Sequence, residues 1–94
     1  MAIHSVRLKD RAKKDLRTVP DHIVTKLMGW VRQVEKEGLE KTRRTPGYHD
    51  EPLRGNRSGQ RSIRLNRAYR AIYEIQSDQT IEFVSIEEVN KHDY

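Results

Sequence analysis

Four residues in the second half of the chain are of the types that can cleave RNA by acid–base chemistry. Glu51 precedes a Pro-Leu pair, Arg70 lies in a strand-like run, and His92 and Tyr94 follow the last strand-like run. In-line attack of a ribose 2′-OH needs a base for that proton, an acid for the 5′-oxygen and positive charge at the phosphate. Glu, His and Arg fill these three roles without a metal ion.

Each of these residues also has an ordinary structural explanation. Glu51 can be a solvated loop carboxylate, and His92 can be a frayed terminal residue. Arg70 can bind phosphate at the surface or pair with Glu74 or Glu82 across a sheet. Taken singly, each residue is better explained by structure, so a site is indicated only by their combination.

Most of the positive charge lies in one stretch of the chain. Residues 41–70 contain nine basic and two acidic residues, a net charge of +7, whereas the whole chain carries +5, so the other residues sum to −2. Eight of the nine are arginines, whose planar guanidinium suits phosphate better than a lysine ammonium does. We interpret this stretch as an anion-binding face.

Length and composition exclude several classes of protein. The 94 residues fit one domain, residues 1–94, with a small core, because 34% of residues are hydrophobic and 35% are charged. No run approaches the roughly 20 apolar residues of a membrane span. There is no cysteine, and the four histidines lie far apart, so we expect no disulfide, metal site or cofactor. The N-terminus lacks a signal-peptide pattern, and we expect a cytoplasmic protein.

Hydrophobic spacing predicts a hairpin of two helices. The first runs from residue 9 to about residue 18 and ends because Pro20 disfavours a helix in the residue before it. The second begins near Pro20 or Asp21, carries an apolar stripe at intervals of three and four residues, and runs to Glu37, where Gly38 ends it.

Strands are predicted on both sides of this hairpin. One short strand lies within residues 3–8, and three more lie at 61–65, 69–76 and 80–86, where apolar and polar residues alternate. Residues 40–59 are predicted to form a loop. The order β-α-α-β-β-β predicts an α+β fold in which the N-terminal strand and the helix hairpin pack on a twisted antiparallel sheet. Neighbouring strands about 4.8 Å apart can bring the acid, base and guanidinium candidates to one face.

The motifs resemble the RelE/ParE toxin superfamily, and within it the ribosome-dependent endoribonucleases of the RelE, YoeB and HigB kind. The resemblance is carried by EPLRGNRSG at residues 51–59, RSIRL at 61–65 and YRAIY at 69–73. TRRTP at 42–46 is also similar to YoeB-like chains, and the order of elements fits the RelE-like fold.

The resemblance implies a role for each catalytic candidate. Glu51 matches the general base and Arg70 the arginine that stabilises charge on the scissile phosphate. His92 and Tyr94 resemble a C-terminal general acid and a group that stacks on or orients the base. In YoeB-like chains that His and Tyr are adjacent, whereas Asp93 separates them here. Lys91 or Tyr94 therefore stays open as the general acid.

The implied function is that of a type II toxin, a metal-independent endoribonuclease that cuts mRNA in the ribosomal A site and leaves a 2′,3′-cyclic phosphate. The implied partners are a cognate antitoxin, the ribosome and mRNA, with no membrane. The residues expected to contact RNA or the ribosome are basic and lie in the charged stretch or the tail: Arg43, Arg44, Arg54, Arg57, Arg61, Arg64, Arg67 and Lys91.

Two other functions remain open from the sequence. A ParE-like toxin of the same fold poisons DNA gyrase and cleaves no RNA, although Glu51 and His92 argue against that branch. A non-catalytic RNA-binding module would explain the charged stretch alone and would bind RNA in a strongly salt-dependent way. Induced expression separates the three hypotheses. Only the endoribonuclease leaves cut mRNA, and only the gyrase poison leaves damaged DNA.

Overall fold

The computed structural model describes residues 2–91, which contain three helices and five strands. In chain order these are β1 (Val6–Leu8), α1 (Asp10–Leu16), α2 (Asp21–Glu37), α3 (Leu39–Arg43), β2 (Glu51–Pro52), β3 (Gln60–Arg64), β4 (Tyr69–Ser77) and β5 (Glu82–Lys91). A short 3₁₀ turn at Gly55–Arg57 joins β2 to β3. None of the helices in this range has the length and apolar character to cross a membrane.

The five strands form one mixed sheet in the order β1-β5-β4-β3-β2. Strands β2 to β5 pair antiparallel, and β1 pairs parallel with β5, with Val6 opposite Val84. The helices lie between β1 and the other strands in the chain, which supplies the crossover that parallel pairing needs. The predicted α+β fold with a helix hairpin on a sheet is confirmed, and the parallel pairing of β1 is the departure from the antiparallel prediction.

The hydrophobic core lies between α2 and one face of the sheet. Burying a large apolar side chain contributes about 1.5–3 kcal/mol, so a continuous stripe anchors the helix. The buried residues of α2 follow the predicted spacing: Ile23, Leu27, Trp30, Val31 and Val34. The face of the sheet that meets them, here called the helix face, carries Ile63, Ala71, Tyr73, Val84, Ile86 and Val89. The rings of Trp30 and Tyr73 lie 5.2 Å apart.

The segment predicted as a loop, residues 40–59, contains α3 and β2. Helix α3 follows α2 directly, after Gly38 adopts a φ of 90° that favours glycine. Leu39 and Thr42 are buried, and the Thr42 hydroxyl donates to the Gly38 carbonyl oxygen. The loop prediction was wrong here because α3 and β2 are too short to show a hydrophobic period.

Strand β5 continues to Lys91, five residues beyond the predicted end. A β-bulge shifts its register, so that Ile72 pairs with Glu88 and Tyr73 with Ile86. The extra residue places both Ile86 and Val89 on the helix face. A strict alternation of apolar residues therefore stops at Ile86, and the continuation of the strand is hidden from the sequence.

Candidate active site

The hairpin of β3 and β4 places two arginines opposite each other. Arg64 pairs with Arg70 across the strands, and Arg70 pairs with Asn90 on β5. Directly opposed side chains have Cβ atoms about 4.5–5.5 Å apart, and like charges in that position repel. In the intervening turn the Asn66 side-chain oxygen accepts the backbone N–H groups of residues 68 and 69, both at 2.8 Å. This Asx-type turn carries Arg67 to the same end of the hairpin.

Strand β2 adds Glu51 to the group. Glu51 pairs with Ser62, which is two residues before Arg64 on β3 and so shares its face of the sheet. This face, opposite to the helix face, is here called the open face. A pocket of about 90 Å³ opens there, lined among others by His49, Glu51, Ser62, Arg64, Arg67 and Arg70. Sites that enclose a whole small-molecule ligand are roughly 300–1,000 Å³, so this pocket suits one group of a larger ligand, such as a phosphate.

A buried ion pair on the helix face anchors the residue before Glu51. The Asp50 side chain is only 1% exposed; Arg61 Nε donates to its Oδ1 at 2.5 Å, and the Tyr73 hydroxyl donates to its Oδ2 at 2.5 Å. Burial, followed by the hydrogen bond to Asp50, raises the pKa of Tyr73 above its ordinary range. Burial opposes the charge of Arg61, but Asp50 raises the pKa of the guanidinium. Asp50 thus ties the start of β2 to β3 and β4.

Glu51 and Arg64 do not neutralise each other at the pocket. Within residues 2–91, the Glu51 carboxylate and the Arg64 guanidinium form no hydrogen bond or ion pair, and Arg70 donates only to Asn90 Oδ1, at 3.3 Å. By contrast, Arg57 on the 3₁₀ turn forms an ion pair with Glu88 of β5 at 2.9 Å. With three arginines and one glutamate, the pocket carries a net charge of +2. In such an arrangement the guanidinium groups can bind an anion, and the carboxylate can accept a proton beside it.

The sequence model of the ParE toxins of type II toxin–antitoxin systems, parDE, matches residues 6–89, which is most of the chain. The chain belongs to this toxin family. The predicted relationship to the RelE/ParE superfamily is thereby confirmed, and the protein is a toxin of a type II toxin–antitoxin system. A comparison with curated protein sequences finds no match.

Solved structures share the fold of this ParE-family toxin. The YoeB/ParE toxin from Agrobacterium tumefaciens has a TM-score of 0.70 at 18% identity and covers 95% of this chain and 99% of that chain. YafQ from E. coli strain BL21(DE3) has a TM-score of 0.73 at 15% identity, with 95% and 93% covered. The toxin–antitoxin complex RelBE2 from Mycobacterium tuberculosis has a TM-score of 0.63 at 24% identity, with 96% and 99% covered.

Two of the four predicted catalytic residues lie together in the described part of the toxin. Glu51 and Arg70 both line the pocket. Lys91, the open alternative for the acid, ends β5 opposite Tyr69 and is exposed. His92 and Tyr94 lie outside the described residues.

The predicted RNA-binding arginines of the toxin fall into three groups. Arg64 and Arg67 line the pocket. Arg44 and Arg54 are exposed on connections away from it. The other three form ion pairs and do not join the pocket: Arg43 with Glu40 at 3.0 Å, Arg57 with Glu88 at 2.9 Å, and Arg61 with Asp50 at 2.5 Å.

Three residues of the site were not predicted from the sequence. His49 lines the pocket, Asp50 anchors β2, and Asn66 holds the β3–β4 turn. A signal was present in the sequence: three consecutive polar residues, His49, Asp50 and Glu51, precede a Pro-Leu pair. Packing in a hydrophobic core does not account for such a run. No group of three or more metal-ligating side chains lies together in the described part of this ParE-family toxin.

Proposed function

We propose that this toxin is an endoribonuclease that cuts mRNA in the ribosomal A site. The observation that carries the proposal is the arrangement of Glu51 beside Arg64 and Arg70 at one pocket, with the carboxylate unpaired in the described structure. A surface that only binds phosphate has no use for an unpaired carboxylate, which repels the ligand. A general base, by contrast, must be an unpaired group beside the phosphate that can accept a proton.

In the proposed reaction, the Glu51 carboxylate removes the proton of the 2′-OH that precedes the scissile phosphate. The 2′-oxygen attacks phosphorus in line with the 5′-oxygen, and negative charge develops on the non-bridging oxygens. In this proposal, Arg64 and Arg70 donate hydrogen bonds to that charge as it forms. The P–O5′ bond then breaks, the 5′-oxygen takes a proton, and a 2′,3′-cyclic phosphate remains on the upstream fragment.

The general acid implied by the resemblance is His92, with Lys91 and Tyr94 as the alternatives. Asn90 is hydrogen-bonded to Arg70, and Lys91 follows it on β5. The tail therefore continues from a residue that already contacts the phosphate-binding arginine. This connection supports a role for the tail in the reaction.

The proposed partners are the ribosome, its bound mRNA and a cognate antitoxin. Arg44 and Arg54 are exposed and outside the pocket, where they can contact ribosomal RNA through its phosphates. The similar structures include toxins solved together with antitoxins, RelBE2 and DinJ-YafQ. The net charge of +2 at the pocket favours an antitoxin segment that is acidic where it covers Glu51 and the arginines.

A second candidate function follows from the family model itself, which is named for ParE toxins. A gyrase poison acts by binding the enzyme and needs no general base. Under that function, the loss of the Glu51 carboxylate leaves toxicity unchanged, and the cells accumulate DNA breaks rather than cut mRNA.

Mapping mRNA ends after brief induction tests the proposal. The wild-type toxin is expected to produce new 5′ ends inside translated codons, and Glu51→Gln and Arg70→Ala are expected to abolish them. Glu82→Gln and Arg32→Ala are the matched controls, because both residues are exposed and remote from the pocket. Intact mRNA together with DNA damage would favour the gyrase function instead.

A further inference from the structure

His49 is a second side chain of the pocket that can transfer a proton, besides Glu51. Its side chain lines the pocket together with Glu51, Arg64, Arg67 and Arg70. It is exposed, and no hydrogen bond or ion pair to another residue in the described range engages the imidazole. By contrast, the ring of His4 is bonded through Nδ1 to the Glu35 carbonyl oxygen at 3.0 Å.

The backbone holds His49 in an uncommon conformation. Its φ is 47°, and it is the one non-glycine residue with positive φ among residues 2–91. The residues on both sides are anchored: the Tyr48 carbonyl oxygen accepts the Arg64 backbone N–H, and Asp50 binds Arg61 and Tyr73. Strained backbone that is held by its surroundings is common at functional sites. The two anchors hold the backbone of His49 and so fix the direction of its Cα–Cβ bond.

We propose that His49 is the general acid that protonates the 5′-oxygen leaving group. This inference rests on the proposed ribonuclease function and assigns to His49 the role that the resemblance gives to His92. As the P–O5′ bond breaks, its electron pair moves to the 5′-oxygen, and the imidazolium of His49 supplies the proton. Glu51 holds the proton taken from the 2′-OH. Exchange of both protons with water restores the two groups for the next turnover.

The chemistry of the pocket suits this division of labour. Histidine is the side chain whose ordinary titration lies closest to neutral pH, so it can donate a proton where a glutamate can accept one. The groups that face it are one carboxylate, Glu51, and three guanidinium groups, Arg64, Arg67 and Arg70. The arginines keep their protons and can only bind the phosphate. Of the groups named, His49 is the one able to deliver a proton to the leaving oxygen.

The test uses ribosomes programmed with an mRNA whose scissile 5′-oxygen is replaced by sulfur. A thiolate leaves without protonation, so this substrate does not need the acid. His49→Asn is the informative variant, because asparagine tolerates positive φ but transfers no proton. It is expected to cut the oxygen substrate roughly 10²–10⁴-fold more slowly than wild type and the sulfur substrate at nearly the wild-type rate. Glu51→Gln is expected to be slow on both substrates.

Three results overturn the assignment. His49→Asn could cut the oxygen substrate as fast as His22→Asn, the control on the exposed surface of α2. It could melt at the wild-type temperature and yet be equally slow on both substrates, which indicates a positioning role. Sulfur could rescue His92→Gln instead, which gives the acid role to the tail. A wild-type toxin that cuts neither substrate contradicts the proposed function itself.

Discussion

Arg64 and Arg70 face each other across β3 and β4, and no carboxylate in the described structure is ion-paired with either. Opposed like charges on a sheet cost about 0.2–1 kcal/mol, and under the proposed function that cost keeps two guanidinium groups side by side for a phosphate. We predict that Arg64→Gln raises the free energy of unfolding by about this amount at low salt and lowers mRNA cleavage. Urea unfolding at low and high salt measures the gain, which screening should diminish. A destabilised Arg64→Gln, with Arg32→Gln unchanged, would contradict this account of the pair.

The buried contact of Tyr73 with Asp50 predicts how stability depends on pH. The folded state raises the pKa of Tyr73 above its ordinary value of 10.0, so the unfolded chain loses this proton first as pH rises. The contact stabilises the fold fully below pH 10 and progressively less above it. Tyr73→Phe is expected to lower the free energy of unfolding by about 1.5–3 kcal/mol at pH 8, because a hydrogen bond to a charged group is lost. Urea unfolding at pH 8, 10 and 11 should show the gap between wild type and Tyr73→Phe narrowing; a constant gap would count against it.

The turn between β3 and β4 carries a prediction at the scale of elements. Asn66→Ala removes the oxygen that accepts two backbone N–H groups, which loosens the end of the hairpin where Arg67 and Arg70 lie. We expect the free energy of unfolding to fall by about 1 kcal/mol and cleavage to fall about 10–100-fold, because small displacements of catalytic groups are costly. Asn66→Asp keeps the acceptor and should retain the stability of wild type. An Asn66→Ala toxin that cuts mRNA at the normal rate would show that the turn does not position the site.

How well each element could be predicted depends on whether its own residues or distant residues determine it. Helix α2 was predictable from its own residues, because its apolar stripe and Gly38 act locally. Strand β2 was not, because its two exposed residues form a strand only by pairing with β3. The far half of β5 was hidden by the bulge.

The same distinction applies to the candidate site. Glu51 and Arg70 could be singled out from their residue types and from the family resemblance. That they share a pocket depends on the pairing of three strands, and the part of Asp50 depends on a contact with Tyr73, 23 positions along the chain. The charged stretch was visible in the sequence, but the ion pairs of Arg43, Arg57 and Arg61 required the structure.

At the scale of the whole molecule, ion pairs reduce the charge that is free to bind RNA. Within residues 2–91, four basic residues of the charged stretch form ion pairs with acids: Lys41, Arg43, Arg57 and Arg61. If Arg44, Arg54, Arg64 and Arg70 each contact one phosphate, the logarithm of the binding constant for single-stranded RNA should fall with the logarithm of salt concentration with a slope of about −3.

Titration of a fluorescent RNA over a range of salt concentrations measures this slope. Removing one contact, as in Arg44→Gln, should reduce its magnitude by about 0.7, whereas Arg32→Gln on α2 should leave it unchanged. A slope near −6, as expected for nine contacts, would mean that the ion pairs open when RNA binds.

The parallel pairing of β1 with β5 also has a consequence for the order of folding. Val6 meets Val84, 78 positions further along the chain, whereas four residues each join β3 to β4 and β4 to β5. Closing the long loop costs more entropy than closing the short ones, and contacts between distant residues form slowly. We therefore expect the β3–β4–β5 meander, which carries Arg64 and Arg70, to assemble before β1 docks. The pocket would then belong to the part of the toxin that folds early, and β1 would close the sheet last.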